Sequence, residues 1–490
     1  MKLLFFLGLI LLINSCKPLK DHSQDRPNII LIFTDQQTAG AMSCTGNNLL
    51  HTPAMDLLAN QGILFNNTYC TSPVCGPARS SIISGMMPHE TGVEWNGQSM
   101  KKEIPNAGEI FRENGYQTVW AGKWHLPESY PQREVAKNKK ITGFDMLQFH
   151  DPKVSRWFLG AETDPPLTKA VVDFLKGYNK EKPLFLAISY HNPHDICMYP
   201  RKAGWVSEED SLLEIRHYGF KHKLPVVIGT PPEKIGSLPP LPANFMIGEN
   251  EPVFIQEKRQ NHDEYGVETK LSNEEFGELE WRGYLNAYYR LTEMVDKEIA
   301  QVISSLKEND FWENSLIIFT SDHGDGAAAH KWAAKLNLYE ESSKIPFILT
   351  YPGKIKGDKV NEKLVSQIDI LPTLLDYASI QSDFTFTGES LKSIIEKPSD
   401  TWRKFLVTEL ADFNPDTTRK GRMVRFGLMK YIIYSTNEDQ LFNLEQDPGE
   451  MTDLSKNEAY TTEIETGRKY LMQWAAKTND DFALDILRQF

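Results

Sequence analysis

Cysteine is scarce in this chain. There are five in 490 residues, at Cys16, Cys44, Cys70, Cys75 and Cys197, too few and too scattered for a disulfide scaffold. Cys44 with Cys70 is a conceivable bridge, and the spacing alone does not establish it. An excess of positive charge is also missing. Lys and Arg number 53 against 66 Asp and Glu, a formal net charge of −13. That excludes a general polyanion binder such as a nucleic-acid protein, so an anionic ligand would need a local basic pocket. Beyond the first residues no apolar run reaches the ~20 positions that a spanning helix needs. Nor does the composition of a disordered chain apply, with 40% hydrophobic and 11% aromatic residues. The length suits two domains, or one large domain with a subdomain.

The N-terminus stands apart. Lys2 is followed by the apolar run Leu3 to Ile13, too short to span a membrane, and then by Asn14-Ser15-Cys16. A charged start, a short apolar stretch and a small residue before a cysteine resemble a bacterial lipoprotein signal. That resemblance implies removal of residues 1–15, a lipid on Cys16 and a tether over residues 16–26. The protein would be exported to the periplasm or cell surface, touching the membrane only through that lipid.

Ile29 to Phe33 is a continuous apolar run ending in polar residues, which predicts a strand buried on both faces of a parallel sheet. Leu184 to Tyr190, Leu316 to Ser321 and Phe347 to Tyr351 read the same way. Helical patterns lie between them at Met55 to Asn60, Ala107 to Asn114 and Glu280 to Glu308, with a strand from Gly115 to Trp120. The Tyr and Leu stripe of the longest helix reads as core packing. The class is α/β, with a large mostly parallel sheet flanked by helices. Tyr199 to Val267 is rich in Pro, Gly and charge, and reads as an insertion shaping a pocket rather than a core. From about Pro398 short strands follow: Phe405 to Glu409, Val424 to Met429, Tyr431 to Tyr434 and Gln440 to Leu444. A helix from Thr461 to Lys477 closes the chain. The division is therefore a main domain over 27–395 and a smaller antiparallel subdomain over 396–490.

Reactive side chains recur at strand ends: Asp35, His191 with His194, and Asp322. The carboxyl edge of an open α/β sheet is where ligands bind. The most informative string is Cys75-Gly76-Pro77-Ala78-Arg79-Ser80-Ser81, closed by Gly85. Pro77 suits a first helical position, Ala78 to Ser84 make about two turns, and Gly85 is a natural stop. Cys75 then sits where backbone N–H groups and the positive end of a helix dipole converge, with the Arg79 cation beside it.

That string resembles the C-x-P-x-R signature of the type I sulfatases, in which the cysteine is oxidised to formylglycine. The resemblance runs in order along nearly all of the mature chain. Asn28 to Gln37 is similar to the family's opening strand with its metal carboxylate. Gly122-Lys123-Trp124-His125, Asn192-Pro193-His194, Thr320-Ser321-Asp322-His323-Gly324 and Lys335 to Pro346 are similar to its later elements. Leu441 to Leu444 with Asp447-Pro448-Gly449-Glu450 resembles its C-terminal hairpin.

The resemblance implies an alkaline-phosphatase-like fold and hydrolysis of sulfate esters on carbohydrate, from glycosaminoglycans or other polysaccharides. Cys75, once converted by a formylglycine-generating enzyme, would present an aldehyde hydrate. One hydroxyl attacks sulfur, and the other expels sulfate by collapsing back to the aldehyde. Asp35, Gln36, Asp322 and His323 are the implied metal ligands, for Ca2+ or alternatively Mg2+. Gln36 stands where the family commonly has a second aspartate, and His323 where asparagine is also common. Lys123 and Lys335 would hold the sulfate oxygens, with Lys331 a close neighbour of the second. His125 would hold or deprotonate the hydrate and His194 would protonate the leaving oxygen, with His191 its competitor. His89 and His330 read as structural or substrate-edge residues. Two alternatives stay open: a phosphodiesterase or phosphonate monoester hydrolase of the same superfamily, and a non-catalytic glycan-binding lipoprotein.

Overall fold

The first strand, β1 (Asn28–Asp35), has no polar face, and the main sheet is built around it. Ile29, Leu31 and Phe33 enter one apolar cluster while Ile30 and Ile32 enter another, the two-residue period of a strand covered on both sides. The computed structural model describes residues 26–126, 141–147, 160–198, 238–260, 277–396, 401–411 and 419–490. The expected signal, Cys16 and all of the tether but Arg26 lie outside the described residues, as does most of the insertion.

The other strands of this sheet are β2 (Gly62–Tyr69), β3 (Gln117–Gly122), β4 (Asp145–Leu147), β5 (Leu184–Pro193), β6 (Ser315–Ser321), β7 (Phe347–Thr350) and β8 (Lys359–Ser366). Their order is β4-β3-β5-β1-β6-β7-β2-β8. β1 pairs in parallel with β5 and β6, β3 with β4 and β5, and β2 with β8. β7 runs antiparallel to both β6 and β2. The parallel reading of Phe347 to Tyr351 is thereby corrected: a continuous apolar run reports burial and carries no direction. Helix Glu278–Glu308 packs Val295, Ile299, Val302 and Leu306 on one face. Helices Ala107–Glu113 and Ile370–Tyr377 cover the other.

A second sheet holds β9 (Phe405–Ala411), β10 (Lys420–Phe426), β11 (Met429–Tyr434) and β12 (Asp439–Asn443), in the order β12-β11-β10-β9 and antiparallel throughout. Helix Thr461–Thr478 lays Ile464, Leu471 and Trp474 on one face of it. The opposite face, with Leu406, Met423 and Ile432, packs on Tyr69, Leu338 and Tyr339 of the main unit. Gly427 turns left-handed at φ 49°, so β10 stops at Phe426 and Met429 opens the next strand instead of ending the previous one. A further helix, Asp481–Leu487, is capped by the Asp480 side chain, which accepts the Ala483 N–H at 2.9 Å.

Two other expectations change. The described part of the insertion contains helix Val253–Gln260, whose Phe254 and Ile255 are fully buried in the core. Two of the three apolar residues in a short run anchor it, while Val253 stays exposed. Cys44 and Cys70 are both free thiols, so no bridge joins them. Among the described residues no helix is long and apolar enough to cross a membrane.

Candidate active site

The helix behind Cys75 starts earlier than its sequence suggests. It spans Cys75–Ser84, with extended Val74 as its N-cap and Pro77 at its third position. All N–H groups of a first turn lack intrahelical acceptors, so a proline fits there as well as at the first position. Gly85 closes the helix at φ 67°, donating its N–H to Ser81 O. Cys75 is thus the first helical residue, fully buried at the positive end of the dipole.

Arg79, one turn on, reaches the ends of the sheet strands. Its Nη2 meets Asp35 Oδ2 at 2.8 Å and its Nε meets Asp322 Oδ2 at 2.9 Å. Nη1 donates to Lys123 O and to Ser189 Oγ, both at 2.8 Å. The two carboxylates meet because β1 and β6 are adjacent and in register, Thr34 opposite Ser321, so their polar ends emerge together. Arg79 therefore bridges the acidic pair.

Around the Cys75 Sγ stand His323 Nε2 at 3.1 Å, Lys335 Nζ at 3.1 Å and Asp35 Oδ1 at 3.7 Å. Lys123 Nζ reaches Asp35 Oδ2 at 2.5 Å. Gly122 makes this approach possible: it holds φ 96° with its backbone against Ser189 O, where a Cβ would come within 2.1 Å. Lys331 is placed elsewhere, its ammonium over the Phe245 ring at 5.6 Å. His194 Nε2 is 4.0 Å from Asp35 Oδ1, whereas His191 Nε2 faces Asp195 Oδ1 at 3.8 Å. The His191 and Asn192 N–H groups are both taken by the buried Asp164 carboxylate, at 2.9 and 3.0 Å. His125 is buried in the left-handed region at φ 63°, within the fields of Lys123, Arg79 and Asp35.

Gln36 is held differently from its neighbours. Its Oε1 accepts from Lys335 Nζ at 3.0 Å and its Nε2 donates to Asp325 Oδ2 at 2.8 Å. Asp325 is fully buried and also accepts from Tyr284 OH. Sequence reasoning missed Asp325 and Ser189. An acid two residues beyond the Asp322-His323 pair was a signal for the first; a serine inside an apolar strand gave none for the second.

The charges shape one another. Burial would raise the Asp35 carboxyl, but Lys123, His194, Arg79 and Lys335 outweigh it and hold it well below the usual range. Asp322 is pushed up, by burial and by Asp35. Burial and Asp35 oppose ionisation of Cys75, yet Lys335, Lys123 and His323 pull its thiol down to about 6. Burial, then Lys123, depress His194 and His191 well below an ordinary histidine.

Asp35, Cys75, Asp322 and His323 are buried, and each offers a ligand atom within 4.8 Å of the others. Two carboxylates at the focus of such a group fit a divalent cation. Gln36 is fully buried beside them, its backbone N–H bonded to Asp322 Oδ1 and its side-chain carbonyl to Lys335.

Residues 27–380 match the sulfatase family, and residues 328–477 match the C-terminal region of N-sulphoglucosamine sulphohydrolase. The chain belongs to the sulfatase family. It is a sulfuric ester hydrolase with the alkaline-phosphatase-like fold. A Delta 4,5-hexuronate-2-O-sulfatase of Bacteroides thetaiotaomicron is 29% identical over 473 residues, covering 94% of this chain and 91% of its own. An N-acetylglucosamine-6-O-sulfatase of the same organism is 26% identical, covering 98% and 91%. The solved structure of a 2-O GAG sulfatase superposes with a TM-score of 0.77 at 26% identity, covering 93% of each chain.

Proposed function

We propose that this sulfatase removes ester sulfate from saccharides of the glycosaminoglycan type, at hexuronate 2-O or glucosamine 6-O positions. The names of its two relatives support that class of sugar. The observation that carries the chemistry is the place of Cys75 Sγ, within 3.1 Å of both Lys335 Nζ and His323 Nε2. The Cys75 sulfur here stands in for the formylglycine oxygen that the mature enzyme would carry. The formylglycine supplies the attacking hydroxyl and the carbonyl to which it reverts. Because Cys75 is fully buried, a formylglycine-generating enzyme would have to reach it before the chain folds.

Asp35, Asp322 and His323, with Gln36 beside them, would hold Ca2+, which when bound draws charge from the sulfate oxygens. Lys123 and Lys335 orient the sulfate group and offset charge developing on it. Arg79 keeps the two carboxylates apart and aimed. His125 receives or holds the hydrate proton. His194 delivers a proton to the leaving oxygen; burial and then Lys123 depress this ring, and an entering sulfate would counter the second. Residues 1–15 as a lipoprotein signal, with Cys16 lipidated, complete the proposal and put the enzyme at the periplasm or cell surface, where extracellular glycans arrive.

Desulfation of a panel of defined 2-O-, 6-O- and N-sulfated saccharides, with peptide mass spectrometry of Cys75 in the same preparation, tests both parts. Turnover of hexuronate 2-O- or glucosamine 6-O-sulfate by protein carrying the aldehyde or its hydrate is expected. Activity from protein holding only the thiol would overturn the chemistry; activity confined to non-carbohydrate sulfates would overturn the substrate.

A further inference from the structure

A second group of metal-ligating side chains lies where the loop bearing Lys335 meets the C-terminal sheet. His330, Glu341 and Glu450 each present a ligand atom within 4.8 Å of the others. His330 is only 1% exposed, and neither its Nδ1 nor its Nε2 has a hydrogen-bond partner. Its ring is stacked on Tyr339 at 4.0 Å and 12°, which fixes the plane in which both nitrogens lie. A buried imidazole with both nitrogens unspent calls for a ligand or a water. Glu341 Oε1 accepts from Asn244 Nδ2 at 2.7 Å, while its Oε2 is buried without a partner. Glu450 Oε2 accepts the Glu340 N–H at 2.6 Å, and its Oε1 pairs with Lys430 at 2.7 Å.

Of the neighbouring charges, the fully buried Lys430 ammonium is 3.2 Å from Glu340 Oε1, and the buried Arg425 reaches Glu340 through Tyr69 OH, so both serve Glu340 and Glu450 and leave Glu341 Oε2 unpaired. Lys344 stands 3.9 Å from Glu340 at the surface edge, and Arg259 is already paired with Glu251.

A different three-residue group, His89, Glu409 and Asp480, shows the contrast. There His89 Nδ1 bonds Glu409 at 2.6 Å and Arg422 Nε bonds Asp480 at 2.6 Å, so internal partners satisfy it.

We propose that His330, Glu341 and Glu450 bind a divalent transition-metal ion of the zinc class, separate from the catalytic cation. One imidazole nitrogen with two carboxylates suits zinc far better than calcium, which prefers six or more oxygens. The ion would pin Ala329 to Lys331, and through them the Lys335 loop, to the C-terminal segment at Glu450.

The test uses the full chain in an Asp322→Asn background, which weakens the catalytic cluster. Metal-free protein is titrated with Zn2+ by calorimetry, and retained zinc is counted by mass spectrometry after dialysis. One equivalent is expected, with visible absorption bands when Co2+ replaces it. His330→Gln should abolish those bands, and the isosteric Glu341→Gln, at a partly exposed position, should weaken Zn2+ binding roughly tenfold or more. Retention of the parent's circular dichroism shows that the variants fold. Absence of a zinc equivalent in the Asp322→Asn protein would overturn the proposal, with water and a shared proton filling the site instead. Unchanged affinity in both folded variants would overturn it equally.

Discussion

Lys335 Nζ lies 3.1 Å from Cys75 Sγ, with both side chains buried. An ammonium at that distance favours thiolate, and with Lys123 and His323 it overcomes burial and the Asp35 charge. In metal-free protein whose Cys75 is left unmodified, the thiolate should therefore titrate with a midpoint near 6 instead of 9. Lys335→Ala should move that midpoint up by about a unit or more. Ultraviolet thiolate absorbance against pH, taken as the difference from a Cys75→Ser variant, checks this without any reagent having to reach the buried sulfur. A parent midpoint near 9 would mean that the lysine does not act on this sulfur.

Arg79 is asked to hold two carboxylates that would otherwise repel. Arg79→Ala leaves Asp35 and Asp322 facing each other without their shared partner, both fully buried. Removing one member of a buried charge network costs about 3–5 kcal/mol, measurable by urea unfolding. Arg79→Lys keeps the charge but loses the fork that reaches both acids and Ser189. It should unfold at higher urea than the alanine variant and still lose orders of magnitude in turnover. Equal turnover in Arg79→Lys and parent would show that charge alone suffices.

Much of the centre was legible because β1, β5 and β6 are uninterrupted apolar runs with polar ends, and such ends gather at one sheet edge. Direction was not legible, which is why β7 was read as parallel. β2 and β8 escaped notice for another reason. β8 is an edge strand reading Lys-Val-Asn-Glu-Lys-Leu-Val-Ser, with its first half solvated and no apolar signal there. In the site, pairs adjacent in sequence were found and partners made only by folding were not. Ser189 looks like a core residue until Arg79 arrives beside it. Asp325 sits in a loop whose purpose appears only when Gln36 Nε2 is seen donating to it.

Stability should depend on pH through His89. Burial disfavours its charged ring, but Glu409 and Asp480 raise it from 6.5 to about 9. A raised folded-state value contributes stability that is complete below the unfolded value and is lost as pH rises through the folded one. The melting temperature should thus fall by several degrees from pH 6.5 to 9 as this ring loses its proton. His89→Gln should flatten that decline, because it cannot titrate. Parallel pH–Tm curves for the two proteins would remove His89 as the cause.

Gln36→Asp separates charge from geometry at this position. The new carboxylate would face Asp325, which now accepts from the Gln36 amide, so the metal-free variant should melt lower than the parent. Added Ca2+ should restore the melting temperature by more in the variant than in the parent, since the extra charge favours a cation. Thermal scans with and without Ca2+ read both effects. A variant that is as stable as the parent without metal would mean that Asp325 does not meet position 36.

The assignment of the leaving-group proton rests on position. His194 Nε2 faces Asp35 Oδ1 at 4.0 Å, at the edge of the catalytic group, while His191 leans on Asp195 at 3.8 Å and its N–H is clamped by Asp164. General acid catalysis contributes typically ~10²–10⁴-fold, and it matters most when the leaving group is poor. His194→Ala should cut turnover of a sulfated sugar, whose alkoxide leaves with difficulty, far more than that of an activated aryl sulfate, whose phenolate needs no proton. His191→Ala should lower both rates together, since its role is to keep the segment in place. Comparing kcat for the two substrate types in each variant decides the matter. Equal losses on both substrates for His194→Ala, or the asymmetry at His191 alone, would move the proton to the other ring.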